Sequence, residues 1–210
     1  LLLKGPSSEW WLDKWVKFIK EIGADFFWKQ ELKEFSFDGS LITSAHLLGG
    51  KKVKADYYIL ATTPFVAAKV LRQTPKLACK KQLNLFDSLI QDGPHTQVSF
   101  RIAFKNKINW KIKRSGVILT DSEFNLTIFP QEEAWDSSVN LGDNIQSLWT
   151  GTACVSGEPG RVYNKPLEYC TKSQFIEEIK AQIFGCEGLN FMLKEANNSM
   201  SLQDFPIHKI

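Results

Sequence analysis

Two glycine turns, set a short strand apart, constrain this chain more than any other feature. Leu32 to Phe37 alternates in character, Asp38-Gly39 follows, and Leu41 to Leu48 leads to Gly49-Gly50. Such dipeptides supply the positive φ that a hairpin turn requires, because glycine has no Cβ to clash. Asp38-Gly39 reads as a two-residue turn, and Lys51 to Leu60 as the third strand of an antiparallel meander. The run Tyr57-Tyr58-Ile59-Leu60-Ala61 is nearly continuous in apolar character, which suits a strand buried on both faces. Thr62-Thr63-Pro64 stops it, and Pro64 opens a helix through Leu71.

A helix from Glu9 to Ile22 precedes the meander, with Ser7 or Ser8 as its cap and Gly23 as its stop. Trp11, Trp15, Phe18 and Ile22 recur at helical spacing, with Leu12, Val16 and Ile19 beside them. Lys14, Lys17 and Lys20 occupy the remaining face. The expected use of so wide a stripe is to pack against a sheet. Trp15→Ala should then cost roughly 3–5 kcal/mol. The alternative use is peripheral contact with a membrane through Trp10 to Ile22.

The rest of the chain differs in texture. Lys80 to Ile90 reads as a helix, and strands are expected at Thr96–Phe104, Gly116–Thr120, Asn125–Phe129 and Ser147–Val155. Pro130 to Asp143 reads as a surface loop. Thr171 and Gln174 form a capping box for a helix bearing Ile176, Ile179 and Ile183, stopped by Gly185. The expected class is α+β: a three-stranded meander, then a mixed or antiparallel sheet with flanking helices.

Composition removes several function classes. The 26 basic and 23 acidic residues leave a net charge of +3, and no Lys/Arg block approaches a nucleic-acid-binding patch. No apolar run approaches the ~18 residues that span a bilayer. Leu1-Leu2-Leu3 meets Lys4 at once, unlike a signal peptide, and the absence of an initiator Met suggests a start within a longer protein or after processing. Cys79, Cys154, Cys170 and Cys186 lack metal-ligand spacing, so no metal site is expected. They read as small buried hydrophobes in a reducing compartment, with a cytoplasmic or peripheral-membrane location favoured over secretion.

Signatures of catalysis are sparse. There is no G-x-S-x-G, H-E-x-x-H or Walker loop. His46, His95 and His208 are isolated, although Gly93-Pro94 places His95 at a loop-to-strand boundary. Asp121 and Glu123 could pair as acid and base, but read more simply as solvated turn formers. Gly151-Thr152, Gly157 and Gly160-Arg161 read as a loop after a buried strand, because no helix follows to complete a phosphate cradle. Seven Trp, four Tyr and fifteen Phe suit either an apolar cavity or an ordinary core.

Taken in order, these segments carry a resemblance. The helix ending at Gly23, the two turns, and Ala55-Asp56-Tyr57-Tyr58-Ile59-Leu60-Ala61-Thr62-Thr63-Pro64 resemble the flavin amine oxidase and phytoene-desaturase-like superfamily. Val98 to Phe104 with Ile108-Asn109-Trp110, Ser147 to Ala153, and Thr171 to Phe184 resemble successive elements of its substrate domain. The resemblance implies part of an FAD-binding domain over residues 1–65 and a substrate-binding domain over 66–210, truncated on its C-terminal side. It implies dehydrogenation of an amine or an apolar polyene-like substrate, with the redox chemistry carried by the flavin. Leu32 matches the strand position whose main chain meets the adenine, and Ala61, Thr62 and Pro64 match the segment passing close to the dinucleotide. It assigns no catalytic residue. The family's glycine fingerprint is absent, so this chain alone is expected not to retain FAD. The alternative is a non-catalytic binding or structural module that keeps the substrate-domain fold.

Overall fold

Two antiparallel sheets organise the protein, one of three strands in the order β1-β2-β3 and one of five in the order β5-β6-β7-β4-β8. The computed structural model describes residues 3–91, 97–111, 116–154 and 157–210. With its helices the chain is mixed α and β, with both sheets antiparallel. It divides into two compact units, Leu1–Ile22 with His95–Ile210, and Gly23–Pro94.

The Gly23–Pro94 unit holds β1 (Leu32–Phe37), β2 (Ile42–Leu47) and β3 (Lys52–Val53), with α2 (Pro64–Gln73) and α3 (Lys80–Gln91). The first hairpin pairs Phe35 with Ala45 and Phe37 with Ile42. Its connection is four residues, Asp38 to Leu41, rather than the expected two. Asp38 Oδ1 accepts the backbone N–H groups of Ser40 and Leu41 at 2.8 and 2.9 Å, so the aspartate itself closes the loop. Phe35, Ala45 and Val70 form a small core beneath α2. Thr74 ties that helix to the sheet by accepting the Phe35 N–H at 2.9 Å.

The third strand is a correction. Only Lys52 and Val53 join the sheet, and Tyr57 and Ile59 are 90% and 91% exposed rather than buried on both faces. An apolar run becomes a strand buried on both faces only where neighbours cover both; here Tyr58 and Leu60 pack against the small core, while Tyr57 and Ile59 on the other side have no cover.

In the other unit, a π-type turn (Ser8–Leu12) leads into α1 (Asp13–Glu21) with no capping bond from Ser7. Here too an expectation is overturned. No residue of Ser8–Glu21 is buried, and Trp11, Trp15, Phe18 and Ile22 all face solvent. The helical period was legible, but nothing packs against the stripe in this structure.

The large sheet contains β4 (Val98–Phe104), β5 (Val117–Leu119), β6 (Leu126–Pro130), β7 (Ser147–Ala153) and β8 (Ile207–Lys209). The expected Pro130–Asp143 loop includes a short helix, α4 (Gln131–Ala134). One face of the sheet buries Phe100, Ile102, Phe104, Leu126, Ile128 and Trp149 against α5 (Lys172–Phe184) and α6 (Glu187–Ala196). The Trp149 ring lies 4.7 Å from Phe104 and 4.9 Å from Trp110, centroid to centroid. Thr171 and Gln174 form the expected capping box at the start of α5.

Candidate functional site

Alternation along β4 and β7 produces a second face. While Phe100, Ile102 and Phe104 point into the core, Ser99 and Arg101 lie on the opposite side, as strand geometry requires. Strand register then assembles rows across three strands. Arg101 pairs with Thr150 and Thr150 with Phe129, while Ser99 pairs with Thr152 and Thr152 with Thr127. Gly151 lies on the core-facing side, opposite Phe100. A Cβ there would sit 2.2 Å from the Phe100 ring, so the close packing beneath this face depends on glycine.

Two adjoining hollows open on this face. One of about 500 Å³ is lined by Ser99, Phe100, Arg101, Phe129 and residues 150–152. The other, about 270 Å³, shares Arg101, Phe129 and Thr150 and is walled by the Leu3–Ser7 segment, Gln131, Ala134 and Trp135. Asp136 N–H donates to the Lys4 carbonyl at 2.7 Å, which fixes that wall beside α4. Gln131 donates its side-chain N–H to Thr150 Oγ1 and to the Phe129 carbonyl. Ala103 and Leu148, next along the same face, are buried, so the open region ends there. Arg101 is the one ionisable side chain lining either hollow among the described residues. A larger hollow of about 660 Å³ lies by Phe184, Asn190 and Ser201, where Asn190 and Ser201 are already engaged. Asn190 donates to the Phe184 and Cys186 carbonyls, and Ser201 donates to Asp204.

Glu132 lies next to Gln131 in the chain. Its carboxylate accepts the Leu148 N–H at 3.0 Å and Trp149 Nε1–H at 3.2 Å. Burial raises its pKa above the ordinary glutamate value, against the lowering effect of these hydrogen bonds.

The residues singled out for flavin contact lie in the Gly23–Pro94 unit. Leu32 heads β1, an edge strand, and packs against the small core. Ala61 and Thr62 are exposed and non-helical, and Pro64 is the first residue of α2. These positions fit a cofactor approach in one respect: small, exposed residues leave the Ala61-Thr62 backbone open.

Other candidates resolve into structural roles. His46 Nε2 lies 2.7 Å from Ser36 Oγ and 3.1 Å from Ser44 Oγ, and its Nδ1 lies 3.8 Å from Glu34. The cluster follows from cross-strand register, Glu34 facing His46 and Ser36 facing Ser44. Glu123 is not a free turn carboxylate: it accepts Arg161 Nε–H at 2.9 Å, and the Asp121 carbonyl accepts from Arg161 Nη2. In the glycine-rich loop, the N–H groups of Arg161, Val162 and Tyr163 all donate to buried Glu178. An internal carboxylate thus fills a nest that could otherwise hold an anion. His208 is exposed on β8, and His95 lies outside the described residues. All four cysteines are free, but Cys79 and Cys154 are exposed and only Cys186 is buried, which corrects their reading as buried hydrophobes.

Sequence reasoning missed Arg101 as a site residue. Its signal was the alternation of Ser99 and Arg101 with Phe100, Ile102 and Phe104. Comparison with models of known protein families finds no match to this chain, and comparison with curated protein sequences finds none either.

Proposed function

We propose that this chain is a substrate-binding part, with a partial cofactor-binding part, of an FAD-dependent oxidoreductase that dehydrogenates an amine or an apolar polyene-like substrate. The observation that carries the reading is the open face of β4, β7 and β6, which presents a walled hollow while the opposite face forms the core. A face of this kind positions a small molecule on rigid strands. The order of helix, meander and substrate-domain elements supports the assignment to the flavin class. Leu32, Ala61, Thr62 and Pro64 would hold part of the dinucleotide. The flavin, when bound, accepts the electrons; the residues of this chain bind and orient the substrate.

The test is a titration of the isotope-labelled chain with FAD and, separately, with retinol as a polyene probe or benzylamine as an amine probe. Because this chain alone is expected not to retain FAD, the flavin is titrated to millimolar concentration, where weak, rapidly exchanging contact should still shift the backbone amides of Leu32, Ala61 and Thr62; one of the two probes should shift Arg101, Phe129 and Thr150. Absence of any FAD response at those amides would remove the flavin assignment.

A separate observation favours a contact with anionic membrane surfaces. At about 100° per residue, Trp11, Trp15, Phe18 and Ile22 fall along one line, with Ile19 and Leu12 on one flank, Lys14 on the other, and Lys17 and Lys20 on the remaining face. An exposed aromatic stripe on a helix whose polar face carries lysines complements acyl chains and anionic headgroups together. Co-sedimentation with phosphatidylserine-containing vesicles, and its absence with neutral vesicles, is the expected result; sedimentation with neither would refute the contact.

A further inference from the structure

The three arginines among the described residues are treated differently by the fold. Arg72 pairs with Asp87, and Arg161 pairs with Glu123 while bonding the Asp121 carbonyl. Arg101 has no such partner: among the described residues no carboxylate lies within ion-pair distance of it. Arg101 sits within β4, paired with Thr150 of β7, while β8 pairs further along at Ala103 and Phe104; it lies on the shared rim of the two hollows.

Its surroundings suit one kind of chemistry. Thr150 lies opposite it across the ladder, and Ser99 and Thr152 occupy the next row, so hydroxyl side chains share its face of the sheet. On the other side the smaller hollow offers the apolar Leu3, Phe129 and Trp135 beside the neutral polar groups of Ser7 and Gln131, a mixed wall with no second charge among the described residues. A guanidinium stays protonated at any ordinary pH and presents a rigid fork of N–H donors that fits carboxylate and phosphate oxygens. The same charge repels an ammonium group.

We infer that Arg101 anchors the anionic head, carboxylate or phosphate, of a ligand whose apolar body lies along Phe129 and Trp135. This rests on the reading of the open face as a substrate site; it sets the amine aside and gives the apolar substrate an acid or phosphate-ester head. The strand backbone is already ordered by its ladders, so little reorganisation opposes binding.

The experiment compares four eight-carbon probes that share an apolar body: octanoate, octyl phosphate, octanol and octylamine. Each is titrated at low ionic strength into the full chain and its Arg101→Gln and Arg101→Lys variants, following backbone amides. Arg101 is exposed, so the variants should keep the wild-type spectrum away from the face. At least one anionic probe should shift Arg101, Phe129 and Thr150, and bind about tenfold or more tightly than octanol. Arg101→Gln should abolish that preference and Arg101→Lys retain part of it. The two anionic arms separate a carboxylate site from a phosphate site. Equal binding of octanol and the anions, or preference for octylamine, overturns the inference while leaving the apolar or amine substrate reading in place. No binding of any probe to this face overturns both. The FAD response at Leu32, Ala61 and Thr62 is read independently, so failure of the anion site and failure of the flavin assignment are distinguishable.

Discussion

Glu178 accepts the backbone N–H of Tyr163 at 2.7 Å, and the same carboxylate holds Arg161 and Val162 at 2.8 and 2.9 Å. Gln182 donates to it as well, at 3.1 Å, and in turn accepts the Phe124 N–H. A fully buried carboxylate is tolerable only with its oxygens satisfied, and here the returning loop satisfies them. Glu178→Ala should therefore destabilise the protein by about 3 kcal/mol or more, since it orphans the buried Gln182 amide and three part-buried backbone donors at once. The measurement is the urea midpoint; a shift no larger than that of an exposed-site control would disprove the anchor.

Gly151 and Phe100 give a second test. Alanine at 151 forces its Cβ against the Phe100 ring, and overpacking of this kind costs about 1–3 kcal/mol. Phe100→Leu, costly alone, should recover part of the loss in the double variant, because the two residues share one space. Additive losses would show that they do not.

Glu132 makes stability depend on pH. Its folded pKa lies above the unfolded value, so the folded state holds the proton more tightly. That contribution is fully present below the ordinary glutamate pKa and is lost as pH rises through the higher folded value. Glu132→Gln stays neutral, so its stability relative to wild type should improve as pH rises through that interval. Parallel profiles for the two proteins from acid to neutral pH would contradict this.

For α1, exposure changes the expected cost of mutation. Trp15 is 54% exposed, so Trp15→Ala should move the unfolding free energy by only about 0.5 kcal/mol, far from the loss expected of a core tryptophan. The same change should weaken sedimentation with anionic vesicles. A large drop in the urea midpoint would return the stripe to the core.

Much of the local structure was legible in the residues. Thr171 and Gln174 announced the start of α5 because a capping box is complete within four residues, and Pro64 announced α2 because proline suits a first helical turn. The positive φ of Gly23, Gly39, Gly49 and Gly50 likewise follows from what glycine alone accepts without strain. Helix α6 and strand β8 were not anticipated. Strand β8 has only three residues and exists through its pairing with β4, a partner distant in sequence.

The sequence by itself determined which positions share a face: Trp11 with Trp15 and Phe18, Ser99 with Arg101, Phe100 with Ile102. Helix and strand periods are properties of the backbone, so these groupings need no tertiary information. Only the tertiary structure decided which faces are covered. It left the tryptophan stripe, Tyr57 and Ile59 in solvent, filled the loop nest with Glu178, and brought Phe129 and Thr150 alongside Arg101, which has no carboxylate partner among the described residues. Burial depends on neighbours supplied from far along the chain, and no local period encodes which neighbours arrive.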